Sequence, residues 1–375
     1  MSLPMARDSV ALRSVQGVPL ILLFGCAAPG PSIGSAQEVG IVSQPSTITG
    51  RDGGGGAEVF GQSVWTSGDT VLSVADENGT NWHNNSYTFA TLPTGSAADG
   101  IVVADPTDSV GAPREFMPPT AFEATFNEAH FGDPCAEEPC SSRWANWPGT
   151  PQWDPGNERA LVTYAILYLG EDEDEHVGGG HSVAVWSDVN AQPERPVVDA
   201  GSEFPDIIWG PEARDWGTAS TVSDGFFWVY ACDEAGWDRP CRLARAPVDS
   251  VQSPEAWTYW DGDGWSASSD SAVELFDGAP IMSLGWNAYL GAWLVVYSPP
   301  FDGVVKARTA PELTGPWSKE SVVFEVPESE GDAPYDASHH PDLAEHDGKV
   351  EYITWSRHTT GWFGSEFVVL RVEFL

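Results

Sequence analysis

Basic residues are scarce in this sequence. Lysine occurs only at positions 306, 319 and 349, and Lys and Arg together number 17 against 55 Asp and Glu. The formal net charge of −38 produces a negative field that repels phosphate backbones and acidic polysaccharides. We therefore expect no nucleic-acid partner. The acidity favours solubility in a salty medium and carries no information about the fold.

Long hydrophobic runs and several catalytic motifs are also missing. The apolar run VPLILLF at 18–24 has seven residues, too few to span a bilayer. No Walker, dinucleotide, GxSxG or HExxH motif is present, which argues against nucleotide enzymes, esterases and zinc peptidases. We expect no cofactor. No amphipathic helical pattern exceeds a few turns, whereas 39 Gly and 30 Pro are typical of a β-rich chain with many turns.

The N-terminus has the features of an export signal. Two arginines precede the apolar run, and residues 1–25 fit a signal peptide. LFGC, which ends at Cys26, resembles the bacterial lipobox, in which the cysteine is lipidated. Residues 26–45 would then form a flexible tether rich in Pro, Ser, Gly and Ala, on a protein that is anchored to the cell envelope by lipid alone. An ordinary signal peptide cut near Ala36, which would give a secreted protein, is the alternative.

The other four cysteines form two local pairs, Cys135/Cys140 and Cys232/Cys241. Even numbers at short spacing in an exported chain predict two disulfides that close loops. Zinc is less favoured, because neither pair has CxxC spacing and no histidine cluster accompanies either pair. We expect no metal site.

A hairpin pattern recurs along the chain. In each copy an apolar strand ends in an aromatic residue, a polar loop follows, and a second apolar strand returns. Tyr230, Tyr297 and Trp355 mark equivalent strand ends, 67 and 58 residues apart. A period of this size suits a four-stranded propeller blade. Residues 46–375 have room for five such units, so the sequence predicts an all-β, five-bladed β-propeller in one domain.

Four stretches together resemble a known bacterial family. They are GRDGGGGAEVFGQSVWTSGDT (50–70), NWPGTPQWDP (146–155), MSLGWNAYLGAWLVVYSPP (282–300) and DASHHPDLAEHDGKVEYITWSR (336–357). The family was labelled as a domain of unknown function and is associated with five-bladed propeller glycoside hydrolases, including endo-D-arabinanases. The resemblance covers roughly residues 46–375.

The resemblance implies that Asp52 and Asp69 are the catalytic pair. Glycoside hydrolysis requires one protonated carboxyl for the leaving oxygen and one carboxylate that acts on water or carbon. We expect the two carboxyls to lie within about 5–10 Å at one end of the propeller axis, where repulsion separates their pKa values. The glycines at 53–56 would let the main chain approach a sugar, or would form a plain turn. The sequence leaves inverting and retaining mechanisms both open.

Further residues are candidates for binding the substrate. Aromatic rings near the carboxylates can stack on sugars or pack in the core, and an amide in HNNSY can bond a hydroxyl or belong to an ordinary turn. The histidines of ASHHPDL can line the funnel, hold an incomplete metal site or be structural. The expected substrate contacts are Trp65, Asn85, Trp147, His339, His340 and Arg357.

The sequence thus predicts a glycoside hydrolase that acts as a monomer on a neutral furanoside polysaccharide or oligosaccharide. A non-catalytic carbohydrate-binding or scaffold lipoprotein is the alternative, since a propeller hosts both kinds of protein. The alternatives differ in their dependence on Asp52 and Asp69. Binding should survive the change of either aspartate to asparagine, whereas hydrolysis should not.

Overall fold

The computed structural model describes residues 28–132, 134–171, 176–236, 238–327, 334–359, 361 and 363–375. The predicted signal peptide and Cys26 lie outside these residues. The described chain is built almost entirely of β-strands and contains one α-helix. The predicted all-β class is therefore confirmed. No helix in these segments is long and apolar enough to cross a membrane.

The strands are short, and most are joined to the next by a turn or a loop. The first half of the chain contains β1 (Ile33–Ile41), β2 (Ile48–Arg51), β3 (Gly55–Val59), β4 (Gln62–Ser67), β5 (Thr70–Leu72), β6 (Trp82–His83), β7 (Ser86–Thr91), β8 (Val102–Ala104), α1 (Ala121–His130), β9 (Arg143–Pro148), β10 (Gln152–Asp154), β11 (Arg159–Leu169) and β12 (Val177–Trp186). The second half contains β13 (Trp216–Ser223), β14 (Phe226–Cys232), β15 (Pro240–Pro247), β16 (Thr258–Trp260), β17 (Trp265–Ser266), β18 (Phe276–Asp277), β19 (Met282–Asn287), β20 (Ala292–Tyr297), β21 (Val304–Ala310), β22 (Ser321–Glu325), β23 (Tyr335–His339), β24 (Val350–His358) and β25 (Ser365–Phe374).

The strands pair into five sheets of at least four strands and one small sheet. The sheets, in chain order, are β3-β4-β7-β8, then β10-β11-β12 with β9 also on β11, then β13-β14-β15-β16-β17 with β18 on β15, then β19-β20-β21-β22, and last β23-β24-β25-β1. The small sheet is β2-β5-β6. All strand pairs within these sheets are antiparallel, as expected for strands joined by hairpins.

The recurring aromatic residues occupy equivalent places. Tyr230 lies on β14, Tyr297 on β20 and Trp355 on β24, each the second strand of its sheet. Each is 1% exposed. The spacing of these residues therefore equals the length of one repeat unit, and each unit forms one sheet. In each unit a large ring on the second strand fills the space against the neighbouring sheet.

The first strands of the five larger sheets contact one another in order. β3 contacts β10, β10 contacts β13, β13 contacts β19, β19 contacts β23, and β23 contacts β3. Hydrophobic clusters fill the spaces between successive sheets, and one of them joins Tyr230 and Leu243 of the third sheet to Val295 and Tyr297 of the fourth. The contacts among the first strands thus form a closed series.

The predicted flexible tether is wrong for residues 33–41. They form β1, which pairs along its length with β25, from Ile33 opposite Phe374 to Ile41 opposite Val368. Ala36 lies within this strand. The first folded residues therefore complete the last sheet, and the folded domain begins before residue 46.

Both predicted disulfides are present. Cys135–Cys140 closes a short loop after α1, with its Cα atoms 5.3 Å apart. Cys232–Cys241 joins β14 to β15 at directly paired positions. The helix α1 begins with a capping box in which Thr120 and Glu123 bond each other's main-chain N–H groups.

Candidate functional site

Asp52 and Asp69 lie side by side where the small sheet ends. Arg51 pairs with Thr70 across β2 and β5, and the next residues continue the contact. The Asp52 N–H donates to the Asp69 carbonyl at 2.9 Å, and the Gly68 N–H donates to the Asp52 carbonyl at 2.9 Å. Two aspartates 17 positions apart thus come from adjacent pieces of main chain.

Asp69 carries the stronger set of partners. Arg143 Nη2 donates to its Oδ2 at 2.8 Å, and the Trp82 indole N–H donates to its Oδ1 at 3.2 Å. Burial raises the pKa of Asp69, while Arg143 and then Trp82 oppose that rise. The guanidinium of Arg143 is itself fixed, because its Nε donates to Asn84 Oδ1 at 3.0 Å and its plane lies over the Trp82 ring.

Asp52 has a different environment. Burial, and after it the charge of Asp69, raise the pKa of Asp52 to about 7, against the lowering effect of Arg143. Two neighbouring carboxyls in unequal surroundings are the arrangement that separates an acid from a base. At neutral pH this carboxyl keeps a proton for a large part of the time.

A third carboxyl, Asp336, reaches the same site from the far end of the chain. It is 8% exposed and lies at an irregularity in the pairing of β23 with β24, with φ at 53°. A bulge of this kind turns a side chain out of the regular alternation. A Cβ on Gly53 would lie 3.3 Å from Asp336 Oδ2, which shows how closely this carboxylate approaches the chain after Asp52.

Asp336 is coupled to the pair electrostatically. Burial, and after it the charge of Asp52, raise the pKa of Asp336 well above its usual range, against the lowering effect of Tyr335. The pKa of Tyr335 is raised in turn, first by the charge of Asp336, then by burial, and then by the charges of Asp52 and Asp69. Asp336 is the first residue of the last of the four stretches that carry the family resemblance. No local sequence pattern marked it as a site residue, so it was not predicted from the sequence.

The glycine run has mainly a packing function. A Cβ on Gly54 would lie 3.2 Å from Phe367, one on Gly55 2.2 Å from Thr150, and one on Gly56 2.3 Å from Trp65. These glycines let β3 pass against other protein groups. Only Gly53, with φ at 70° and Asp336 beside it, adjoins the carboxyls.

Of the two predicted sugar-stacking tryptophans, one is at the site. Trp147 is half-buried, its ring lies against Gly68, and its N–H lies near enough to Asp69 to lower that pKa without forming a regular hydrogen bond. Trp65 is fully buried, donates to Ser63 and stacks on another ring 4.1 Å away. The prediction that Trp65 contacts substrate is therefore wrong.

The two histidines point to opposite sides. His340 is fully buried, with its ring against Trp65 and its Nε2 2.7 Å from Thr354 Oγ1, so its predicted contact with substrate is wrong. His339 bonds Ser283 and lines a separate cavity of about 270 Å³ between the first strands. Burial lowers the pKa of both histidines to about 3.

Asn85 and Arg357 also have protein partners. Asn85 is fully buried, and its amide bonds the main chain of Met117 and Asn146, so its predicted role in sugar binding is wrong. Arg357 is the second-last residue of β24 and forms an ion pair with Glu366 at 2.6 Å. Its role in binding stays a prediction.

Comparison with known proteins places the chain in a family. Residues 182–369 match the model of a domain of unknown function, DUF4185. The chain belongs to the DUF4185 family. The matched part contains Asp336, His339 and Arg357, whereas Asp52 and Asp69 precede it. No curated protein matches the sequence.

Two solved structures share the fold at low identity. A proposed hydrolase from Bacteroides ovatus ATCC 8483 is 15% identical, with a TM-score of 0.58 over 90% of this chain and 87% of that one. Zg3597, a family 117 glycoside hydrolase from Zobellia galactanivorans, is 11% identical, with a TM-score of 0.51 over 92% of this chain and 91% of that one. This DUF4185 chain thus shares the fold of the proposed hydrolase and of the family 117 glycoside hydrolase over nearly its whole length.

Proposed function

We propose that the protein is a glycoside hydrolase that cleaves a neutral furanoside polysaccharide, as an endo-D-arabinanase does, with Asp52 and Asp69 as the catalytic pair. One observation carries the proposal. Half-buried Asp52 and buried Asp69 come together on adjacent main-chain segments, and among the described residues only Asp69 has an arginine partner. The shared fold with a glycoside hydrolase agrees with this activity but does not by itself assign it.

The partners of each carboxyl suggest its role. Asp52, whose pKa burial raises to about 7, is the general acid that protonates the leaving oxygen. Asp69, held by Arg143 and Trp82, is the carboxylate that acts on water or on the anomeric carbon. Trp147 lies beside Asp69 and is the candidate ring for stacking on the sugar.

We further infer that the five larger sheets are the blades of a five-bladed propeller. The ring of contacts among β3, β10, β13, β19 and β23 supports this arrangement, with β1 as the outer strand of the last blade. Asp52 precedes β3 and Asp336 is the second residue of β23, and a Cβ on Gly53 would lie 3.3 Å from Asp336 Oδ2, which places both acids near the start of a first strand.

The proposed location is the bacterial cell envelope, with the lipid on Cys26 as the membrane anchor and the folded part acting as a monomer. Residues 28–32 then form the link between the lipid and β1. Replacing Cys26 by Ser should move the protein from the membrane fraction to the soluble fraction. Unchanged fractionation would contradict the lipid anchor.

The activity is tested by incubating the purified protein with neutral furanosyl and pyranosyl polysaccharides and measuring new reducing ends. We expect hydrolysis of a furanosyl polymer, with a decline above about pH 7 as Asp52 loses its proton. Asp52→Asn and Asp69→Asn should each lower kcat by at least about a hundredfold. Binding without hydrolysis that survives both substitutions would favour the non-catalytic alternative.

A further inference from the structure

A cleft of about 710 Å³ opens beside the carboxyl pair. Its wall includes Trp82 and Arg143, the two groups that donate hydrogen bonds to Asp69. Residues 113–115, 118–119 and 190–192 also line it. The volume lies within the range of sites that enclose small organic ligands.

Most amides and rings of the cleft wall are held by protein partners. Asn127 bonds both main-chain groups of Trp144, and Asn84 accepts from Arg143. His83 bonds Asp76 at 3.2 Å. These groups fix the shape of the cleft, because their hydrogen bonds are used within the protein.

Tyr87, Arg114 and Glu115 are among the polar groups that line the cleft. Tyr87 packs its ring on Phe116 and Trp186, while within the described chain its hydroxyl has no hydrogen-bond partner. Glu115 also lines the cleft, and burial raises the pKa of its carboxyl to about 8 against the lowering effect of a hydrogen bond from the main chain of Asn84. An uncharged carboxyl and a phenol can each donate to and accept from a hydroxyl group.

The charge around the cleft selects against anions. Asp76, Glu77 and Asp108 line it together with the cations Arg114 and Arg143, and the whole chain carries a formal charge of −38. Arg143 is already paired with Asp69. A ligand that brings further negative charge would be repelled, whereas a neutral ligand with many hydroxyls avoids that cost.

We propose that this cleft binds the sugar units next to the scissile bond of a neutral glycan, with Tyr87 and Glu115 as the groups that bond its hydroxyls and Trp82 with Phe131 as the apolar side. The inference rests on the proposed function, since it places the reacting bond at Asp52 and Asp69. The inference adds to the proposed function a sugar-binding site that lies outside these two carboxyls, on the side of Arg143.

The test measures binding separately from hydrolysis. Native gels containing soluble arabinan should retard the Asp52→Asn protein, and polygalacturonate, a uronic acid polymer, should not. Adding Tyr87→Phe or Glu115→Ala should weaken the retardation by about fivefold, the usual effect of one lost hydrogen bond. Tyr289→Phe and Glu274→Ala change exposed residues outside the cleft and should leave the retardation by arabinan unchanged.

Thermal unfolding of each variant separates lost binding from lost folding. If the Tyr87 and Glu115 variants fold and bind arabinan as tightly as the control variants, the inference is wrong, whether or not the protein hydrolyses the polymer. Equal retardation by polygalacturonate would also overturn it. If the wild-type protein hydrolyses arabinan, kcat/KM for the polymer should fall in both cleft variants and stay within about twofold in the Tyr289→Phe and Glu274→Ala controls.

Discussion

Replacing Asp52 by Asn should stabilise the protein, and the gain should grow with pH. Burial and Asp69 raise the pKa of Asp52 from 3.8 to about 7 in the folded state. A raised carboxyl pKa means that the folded state holds the proton more tightly than the unfolded state. Stability contributed by the proton is therefore present at low pH and is lost as the pH rises from about 4 to about 7.

The full shift of about three pKa units corresponds to about 4 kcal/mol in the free energy of unfolding. The Asp52 side chain is not completely enclosed, so solvent screening reduces this figure. We expect about 1–3 kcal/mol of stabilisation by Asp52→Asn at about pH 8 and less at about pH 5. Asn keeps the shape of the protonated acid and carries no charge.

Urea unfolding of the wild-type and Asp52→Asn proteins at both pH values gives the comparison. Asp270→Asn, at an exposed position, is the matched control and should show no pH-dependent gain. A stability difference that is the same at both pH values would refute the reasoning. So would an Asp52→Asn protein that is less stable than the wild type at about pH 8.

Three further changes test other parts of the structure. Arg143→Met leaves Asp69 buried without its cation and should lower the free energy of unfolding by about 3 kcal/mol in urea titrations; equal stability would mean that the ion pair adds nothing. Changing Cys232 and Cys241 together to Ser should cost about 2–3 kcal/mol, seen as a lower Tm, because the closed loop is short; an unchanged Tm would show that the disulfide is dispensable. A chain that starts at residue 43 lacks β1 and should unfold at a lower temperature than one that starts at residue 32, since β25 loses its partner strand; identical melting curves would contradict this.

The parts of the fold that were predictable rest on local patterns. The second strand of each of the last three sheets carries a buried aromatic residue, Tyr230, Tyr297 or Trp355, and the spacing of these residues indicated the repeat. The cysteine pairs were close in sequence and are bonded as expected. The strand β1 was not predictable, because IGSAQEVGI is mostly exposed and lacks strict alternation. Its pairing depends on β25, more than 300 positions away.

The residues of the site likewise divide into those that the local sequence predicted and those that it did not. Asp52 and Asp69 belong to one short segment of the chain, so their proximity could be predicted from that segment alone. Arg143 is 74 positions from Asp69 and Asp336 comes from the last sheet. Trp65 and His340 form a buried stack, and no local feature distinguished that stack from a sugar platform.

The balance of charge at the site argues for a stored proton. Asp52, Asp69 and Asp336 are coupled carboxyls with raised pKa values, and Arg143 is the cation that the structure gives this group. Three ionised carboxylates beside one guanidinium would leave two uncompensated buried charges, a cost that protonation removes. Because Arg143 bonds Asp69, the proton belongs with the other two acids. Asp52 stands next to Asp69 and has a pKa near neutrality, so it can release that proton to a leaving oxygen and recover it from water.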